Sequence, residues 1–473
     1  MSVLSALEPG ERIHFIGIGG AGLSAIARVL LSLGYRVSGS DQSGSALTDA
    51  LAAEGVVFFL GHRAGHVQGA GLVVVSSAIP QDNVELLAAK QQGIAVVKRA
   101  DFLGEMMLGK PAVAVAGSHG KTTTTGMIAT MLLAADRDPT FIVGGEIAHL
   151  GTNARAGDGP FVIEADEYDR TFLGLRPTVA VVTNVEHDHP DCYPTFDDFQ
   201  AAFQAFVALL PKDGVLIACA DDPGASKLGS EARNRGNRVI LFGLAQRDIS
   251  TDPTPYWQAV DVRPNGAGGS DYVALLDGRS RGLIRLRVPG RHNVSNSLAA
   301  LAVGELLSIP FGTVAQALRQ FRGMQRRFEV KGVAQGVTVV DDYAHHPTEI
   351  RATLAAARSH YAGRPIWAVW QPHTFSRTWA LMDDFATAFA DADHVLVTPI
   401  YAARERDRLG VSSADVVARM AAVDARVVAN LGQAVDILEK SVQPGDIVLT
   451  LGAGDGFVIG EQLLRRLNNS AGA

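Results

Sequence analysis

Residues 112–131 read AVAVAGSHGKTTTTGMIATM, and how this run is parsed decides the fold. An apolar run of strand length, 112–116, leads into Gly117-Ser118-His119-Gly120-Lys121-Thr122-Thr123. A segment with Met127, Ile128 and Met131 at helical spacing follows. Strand, glycine turn, Lys-Thr and helix is the layout of a phosphate-binding loop. Glycines let the backbone curl so that N–H groups face phosphate oxygens, and the helix N-terminus adds partial positive charge. On this reading Gly117, Ser118, His119, Gly120, Lys121, Thr122 and Thr123 cradle a nucleotide. Lys121 reaches the outer phosphates as a catalytic cation, and the Thr122 hydroxyl holds Mg2+. The general pattern asks for a glycine five residues before Gly120, where Val115 stands, so a glycine turn without a ligand is the alternative.

Composition bounds the rest. A chain of 473 residues has room for two to four domains, and 47% hydrophobic content supports large cores. The net charge of −7 implies no broad basic surface, so no nucleic-acid partner is expected. Cys192 and Cys219 are the two cysteines, which gives no disulfide framework and fits a reducing compartment. No apolar run is long enough to span a bilayer, and the N-terminus lacks a basic leader, so neither membrane insertion nor secretion is expected. The expectation is a cytoplasmic α/β enzyme.

Toward the N-terminus, residues 13–18 read as a buried strand running into Gly17-Ile18-Gly19-Gly20-Ala21-Gly22, then a helix over 23–33 and a second strand over 35–38 that ends near Asp41. This satisfies G-x-G-x-x-G with an acidic residue about 20 positions on, and read alone it suggests a nicotinamide-dependent oxidoreductase with Asp41 on a ribose. The physics is broader. A glycine turn at a helix start selects a pyrophosphate, and UDP-sugars carry one as NAD does. The run 72–80 is a strand ending in Ser76-Ser77, which either binds a phosphate or base or forms a plain turn.

Toward the C-terminus, strands predicted over 161–165 and 179–182 end in acidic and histidine clusters, 166–169 and 183–191. Carboxylates at such strand ends hold Mg2+ against nucleotide phosphates; a solvated acidic loop is the alternative. Residues 198–210 form an amphipathic core helix. Residues 288–296, VPGRHNVSN, open a helix running through 307, which by itself is ordinary capping chemistry. Arg326-Arg327 reads as an exposed pair, DDYAHHPTE at 341–349 leaves a metal site open, and Arg377 in QPHTFSRT at 371–378 reads as a surface loop arginine. A last strand, 447–451, ends in a glycine turn at 452–456, so the third domain is expected to be Rossmann-like. The predicted division is 1–109, 110–324 and 325–473.

Together these blocks resemble the Mur ligase family over nearly the whole chain. They comprise HFIGIGGAGLSAIARVLLSLGYRVSGSD, GSHGKTTTT, EADEYD, NVEHDHPD, GRHNVSN, RRFE, DDYAHHPTE, QPHTFSRT and IYAARE, in that order. The resemblance implies an α/β enzyme of three domains: a Rossmann-like UDP-binding domain without nicotinamide, a central P-loop ATPase-like domain and a C-terminal Rossmann-like domain. Gly17, Gly19, Gly20 and Gly22 become the diphosphate loop, with Asp41 and Ser77 beside the UDP-substrate. Glu164 and His189 join Thr122 as metal ligands. His292, Asn293 and Asn296 contact the adenine, and Arg327 reaches the ATP phosphates. Asp342, His346 and Arg377 form the amino-acid pocket, and Arg327, His346 and Arg377 share catalysis with Lys121. No carbamoylated lysine is expected. The implied reaction is ATP-dependent joining of L-alanine to the lactyl carboxylate of UDP-N-acetylmuramate through an acyl phosphate, in peptidoglycan precursor synthesis. The implied state is a monomer or weak homodimer. A ligase that recycles a tripeptide onto the same UDP-sugar is the alternative within the family.

Overall fold

The computed structural model describes residues 7–8, 10–248, 250–403, 405–406, 409–420 and 423–470. Its strands form three sheets, each confined to one part of the chain. The first unit has five parallel strands, β1 (Arg12–Ile16), β2 (Arg36–Asp41), β3 (Val57–Leu60), β4 (Leu72–Val75) and β5 (Ala95–Lys98), in the order β3-β2-β1-β4-β5. That is the Rossmann half-order, with its switch point between β1 and β4.

The second unit is built on ten strands. They are β6 (Ala112–Ala116), β7 (Thr140–Ile147), β8 (Thr152–Arg155), β9 (Phe161–Glu164), β10 (Val179–Val182), β11 (Val215–Cys219), β12 (Arg238–Gly243), β13 (Tyr256–Pro264), β14 (Ser270–Leu276) and β15 (Arg279–Arg285). Their order is β15-β14-β13-β12-β11-β10-β6-β9-β7-β8, with antiparallel pairs at both edges. All five residues of β6 are buried, as a strand packed on both faces requires. The loops after β10, β6 and β9 stand side by side, so the phosphate loop lies between the two acidic clusters.

The third unit holds β16 (Glu329–Ala334), β17 (Val337–Asp342), β18 (Ile366–Trp370), β19 (His394–Val397), β20 (Asp424–Val427) and β21 (Ile447–Leu451), ordered β16-β17-β21-β18-β19-β20. Only β16 is antiparallel to its neighbour in this sheet. Here too the blocks at 341–349, 371–378 and 452–456 follow strands β17, β18 and β21, which are adjacent.

One apolar core runs continuously through the first and second units, from Ile13 through Phe102, Phe172 and Val182 to Met324. The third unit keeps two cores of its own, one on each face of its sheet, around Trp370 and Val369. It therefore joins the other two mainly through polar contacts and the connection near Met324, which pairs with Ile147. No described helix is long and apolar enough to cross a membrane.

Candidate functional site at the mouths of three sheets

The phosphate loop is built by its glycines. Gly120 caps the helix Lys121–Ala134 at φ +81°, a left-handed conformation, and a Cβ there would lie 2.6 Å from Asn296 Oδ1. Lys121 folds back over the loop: its Nζ donates to the Gly117 carbonyl at 2.6 Å and the Ser118 carbonyl at 3.1 Å, and pairs with Glu167 at 2.8 Å. Burial pulls the Lys121 pKa down, but the carboxylates of Glu167 and Glu164 outweigh it and hold the ammonium charged. The loop is fastened to the segment after β10. The His119 amide donates to Asn184 Oδ1 at 2.8 Å, and the Ser118 hydroxyl donates to the Glu186 carbonyl at 2.7 Å.

Beside it stand the oxygen donors. The Thr122 hydroxyl donates to Glu164 Oε1 at 3.0 Å, and Glu164 Oε2 accepts the Gly144 amide at 2.6 Å. Burial pushes the Glu164 carboxyl up in spite of Lys121, so the carboxylate is short of positive charge where it sits. His189, at φ +56°, brings Nε2 to 3.3 Å from Glu167 and 3.7 Å from Asp188. Glu167 is 2% exposed, and its Oε2 has no hydrogen-bond partner among the described residues. A hydroxyl, carboxylates and an orphaned carboxylate oxygen suit a hard divalent cation such as Mg2+.

A cavity of about 230 Å³ opens beyond the loop, lined by Gly120, Thr123, His292, Asn293, Asn296 and Arg327. Asn296 Nδ2 donates to Asn293 Oδ1 at 3.1 Å and Asn293 Nδ2 to the Pro289 carbonyl at 2.7 Å, so the first turn of the helix Arg291–Leu306 is held rigid facing the loop. The two hinge arginines part company. Arg326 turns into the third unit, pairing with Asp341 at 2.9 Å and donating to the Gly452 carbonyl at 2.8 Å. Arg327 faces the cavity and lies 3.5 Å from Glu349.

On the first unit a cavity of about 300 Å³ is lined by Gly17, Gly20, Gly22, Ser76 and Arg99, with Glu164 on the far wall. Arg99 approaches Gly22 so closely that a Cβ there would collide with its guanidinium. The same guanidinium pairs with Asp166 at 3.0 Å and donates to Thr171 at 3.2 Å. Asp41 braces the glycine turn, accepting the Gly19 amide at 2.9 Å, so Gly19 serves through its backbone. Ser76 accepts the Ala78 amide at 3.3 Å as a turn former, while Ser77 lines the central cleft.

That cleft, about 580 Å³, is where the three units meet; Ser77, Arg99, Lys121, Glu164, Arg327 and Arg377 lie around it. Three expectations change here. Arg377 is on the helix Phe375–Ala380 and is 3% exposed, not a surface loop residue. Its Nε and Nη2 lie 2.9 and 2.8 Å from Asp188 Oδ1, an ion pair across the units, and Nη1 turns to His373. His346 does not line the cleft. It caps the helix Pro347–His360 by accepting the Thr348 amide at 3.3 Å and packs its ring 4.7 Å from that of His119. Its neighbour His345 takes the cleft position, because adjacent residues on extended backbone point to opposite sides. Asp342 lines the nucleotide-side cavity instead of the cleft and accepts the Phe328 and Ala344 amides at 2.9 and 2.8 Å. Burial pushes its carboxyl up to about 6.

Arg99, Glu167, Asp188, Glu186, His345 and Glu349 belong to the site and were not singled out from sequence. All but Arg99 lie inside blocks quoted above, where adjacency to a named residue was the available signal. Arg404 of the IYAARE block lies outside the described residues.

Comparison with known proteins adds three family matches in chain order: "Mur ligase family, catalytic domain" over residues 12–111, "Mur ligase middle domain" over 115–304 and "Mur ligase, glutamate ligase domain" over 326–454. The chain is 45% identical to UDP-N-acetylmuramate–L-alanine ligase of Roseiflexus sp. (strain RS-1), over 96% of this chain and 98% of that protein. It is 45% identical to the enzyme of the same name from Geobacter sp. (strain M21), over 97% and 98%. Among solved structures, UDP-N-acetylmuramate-alanine ligase of Thermotoga maritima superposes with a TM-score of 0.80 at 29% identity, covering 97% of this chain and 99% of that one. A murein peptide ligase of Psychrobacter arcticus 273-4 superposes at 0.70 with 27% identity, covering 97% and 99%.

Proposed function

The chain belongs to the Mur ligase family, and from that premise we propose that it joins L-alanine to the lactyl carboxylate of UDP-N-acetylmuramate, converting ATP to ADP and phosphate. Relatives of that activity at 45% identity across nearly the full chain support the substrate pair over the tripeptide alternative. The observation that carries the mechanism is the connection of the cavities. The first-unit cavity meets the central cleft at Arg99 and Glu164, and the nucleotide-side cavity meets it at Thr122, Arg327 and Glu349. A carboxylate arriving from one side and a γ-phosphate from the other therefore come together beside Lys121.

On this reading the glycine turn at 17–22, with Arg99, Asp41 and Ser77, holds the UDP end. Gly117–Thr123 cradle the ATP phosphates, and His292, Asn293 and Asn296 frame the base. A carboxylate is a poor electrophile, so its attack on the γ-phosphorus creates an acyl phosphate with a good leaving group. Lys121 and Arg327 are placed to neutralise charge spread over the transferring phosphoryl oxygens. Thr122, Glu164 and His189, with Glu167 added, would hold Mg2+, which when bound supplies further positive charge at those oxygens. The amine of L-alanine then attacks the acyl carbon and expels phosphate, with the alanine carboxylate steadied from the third unit by His345, His373 and Arg377, the last held in place by Asp188 of the second unit.

The three sheets correspond to proposed domains 1–109, 110–324 and 325–473. Free Cys192 and Cys219 and a nucleotide economy of ATP and UDP-sugar suit the cytoplasm. A phosphate-release assay tests the reading. Release should require UDP-N-acetylmuramate, ATP and L-alanine together; no release with the three, or NADH formed from NAD and a hydroxy acid, would remove it.

A further inference from the structure

His119 is an unexpected residue to find between two carboxylates. It belongs to the phosphate loop and lines the nucleotide-side cavity, yet both of its ring nitrogens are taken by carboxylates, one of them in the third unit. Nε2 lies 2.9 Å from Glu186 of the second unit, and Nδ1 lies 3.3 Å from Glu349 of the third. Each carboxylate extends the link. Glu186 accepts the Thr348 hydroxyl at 2.7 Å and stands 3.8 Å from His346 Nδ1. Glu349 accepts the His345 amide at 3.1 Å and faces Arg327 at 3.5 Å. The polar joint therefore crosses from second to third unit, where the apolar cores are separate.

Burial alone would lower the pKa of His119, but Glu186 and Glu349 raise it to about 9, so the ring is an imidazolium near neutral pH. Side-chain donors of His119, Glu186 and His346 approach within 4.8 Å of one another, close enough to share a cation. A ring with a carboxylate at each nitrogen has no lone pair to offer, which favours the protonated bridge over a metal.

We propose that Glu186 and Glu349 are positioning residues that clasp His119 from two units, so that docking of the third unit sets the phosphate loop in its working shape. The His119 amide is tied to Asn184, and Lys121 is anchored on the carbonyls of Gly117 and Ser118, so a pull on the His119 ring is felt at the catalytic lysine. Phosphoryl transfer then proceeds when the third unit is seated and the cleft is closed to water, which protects an acyl phosphate from hydrolysis. The inference rests on the ligase reading above.

A double-mutant cycle tests it. His119→Asn and Glu349→Gln should each lower kcat on the order of tenfold, with KM for UDP-N-acetylmuramate within about twofold of wild type. The double variant should be no slower than the slower single one. Glu349→Asp, which keeps the charge, should recover part of kcat. Because Glu349 also faces Arg327, the cycle is repeated with Glu186→Gln, which reaches His119 from the opposite side, and the same non-additivity is expected. If His119 instead acts on the nucleotide directly, the losses will multiply in both cycles and KM for ATP will rise in His119→Asn alone, which overturns the clasp. Calorimetric melting checks that each variant folds. Should one fail to, Thr348→Val, which removes the hydroxyl bracing Glu186, should still lower kcat several-fold, and a wild-type kcat there would also count against the proposal. Failure of the ligase reading would look different: the wild-type protein itself would make no alanyl product.

Discussion

The glycine turn at residues 17–22 and the one at 117–122 each join a buried parallel strand to a helix, and read as sequence they promise the same thing. The folded chain uses them differently. Gly20 caps its helix in ordinary extended backbone at φ −75°, whereas Gly120 does so in the left-handed region at φ +81°. The first turn contains no cation, and its positive charge is delivered from outside by Arg99, which reaches over Gly22 toward Asp166 of the second unit. The second carries its own lysine, partly buried beside Glu164 and Glu167. A glycine turn at a helix start thus offers generic anion binding, and the side chains brought alongside decide whether it holds a substrate still or drives a transfer.

The comparison breaks most visibly at Lys121. Lys121→Ala should cut kcat by roughly 10²–10³-fold, the cost of losing one preorganised charge at a transition state, while calorimetry shows UDP-N-acetylmuramate still binding. Near-normal turnover would erase the distinction between the turns. Arg99→Ala should do the reverse, raising KM for the UDP-sugar by about tenfold or more, the cost of a charge-assisted hydrogen bond, with little change in KM for ATP. An equal effect on both substrates would mean that Arg99 only ties the units together.

Glu164→Gln should raise the Mg2+ concentration giving half-maximal rate, because an amide is a poorer ligand for a hard cation. A wild-type titration would take Glu164 out of the metal site. Asn296→Ala should raise KM for ATP several-fold, as expected for about 1 kcal/mol of lost hydrogen bonding. If KM stays put, the block at 290–296 is helix capping alone.

Each turn also stands near a carboxylate–histidine cluster, and these differ in kind. Glu85, fully buried beneath the first turn, meets His66 Nδ1 at 2.5 Å, Ser40 Oγ at 2.5 Å and His14 Nε2 at 3.7 Å. Burial pushes its carboxyl up, but the nearby His14 ring and hydrogen bonds from Ser40, the Arg63 amide and His66 prevail and bring it down to about 2. A depressed carboxyl contributes stability that is present above its unfolded pKa and lost as pH falls through the folded one. The melting-temperature gap between wild type and Glu85→Gln should therefore be full above about pH 4.5 and shrink toward pH 2. A gap that does not narrow in acid would show that Glu85 acts through packing.

Much of this was legible in the sequence because it is local. AVAVA is a strand buried on both faces, and Gly-Lys-Thr at its end announces a phosphate loop. The ends of β10 and β21 follow the predicted runs because apolar residues stop where the chain leaves the sheet. What sequence did not reveal is pairing at a distance. Arg377 and Asp188 are 189 residues apart, and nothing near either predicts their union. Arg99 sits in no motif. His345 and His346 are indistinguishable as neighbours until the backbone direction assigns one to the cleft and the other to His119.

In the proposed reaction ATP activates the lactyl carboxylate of UDP-N-acetylmuramate, and the amine of L-alanine then displaces the phosphate. The most direct measurement is mass spectrometry of the product after the protein is incubated with UDP-N-acetylmuramate, ATP, Mg2+ and equimolar L-alanine and L-alanyl-D-glutamyl tripeptide. The expected product is the alanyl adduct, formed in step with ADP and phosphate. A product carrying the tripeptide, or an unchanged UDP-sugar, would contradict it.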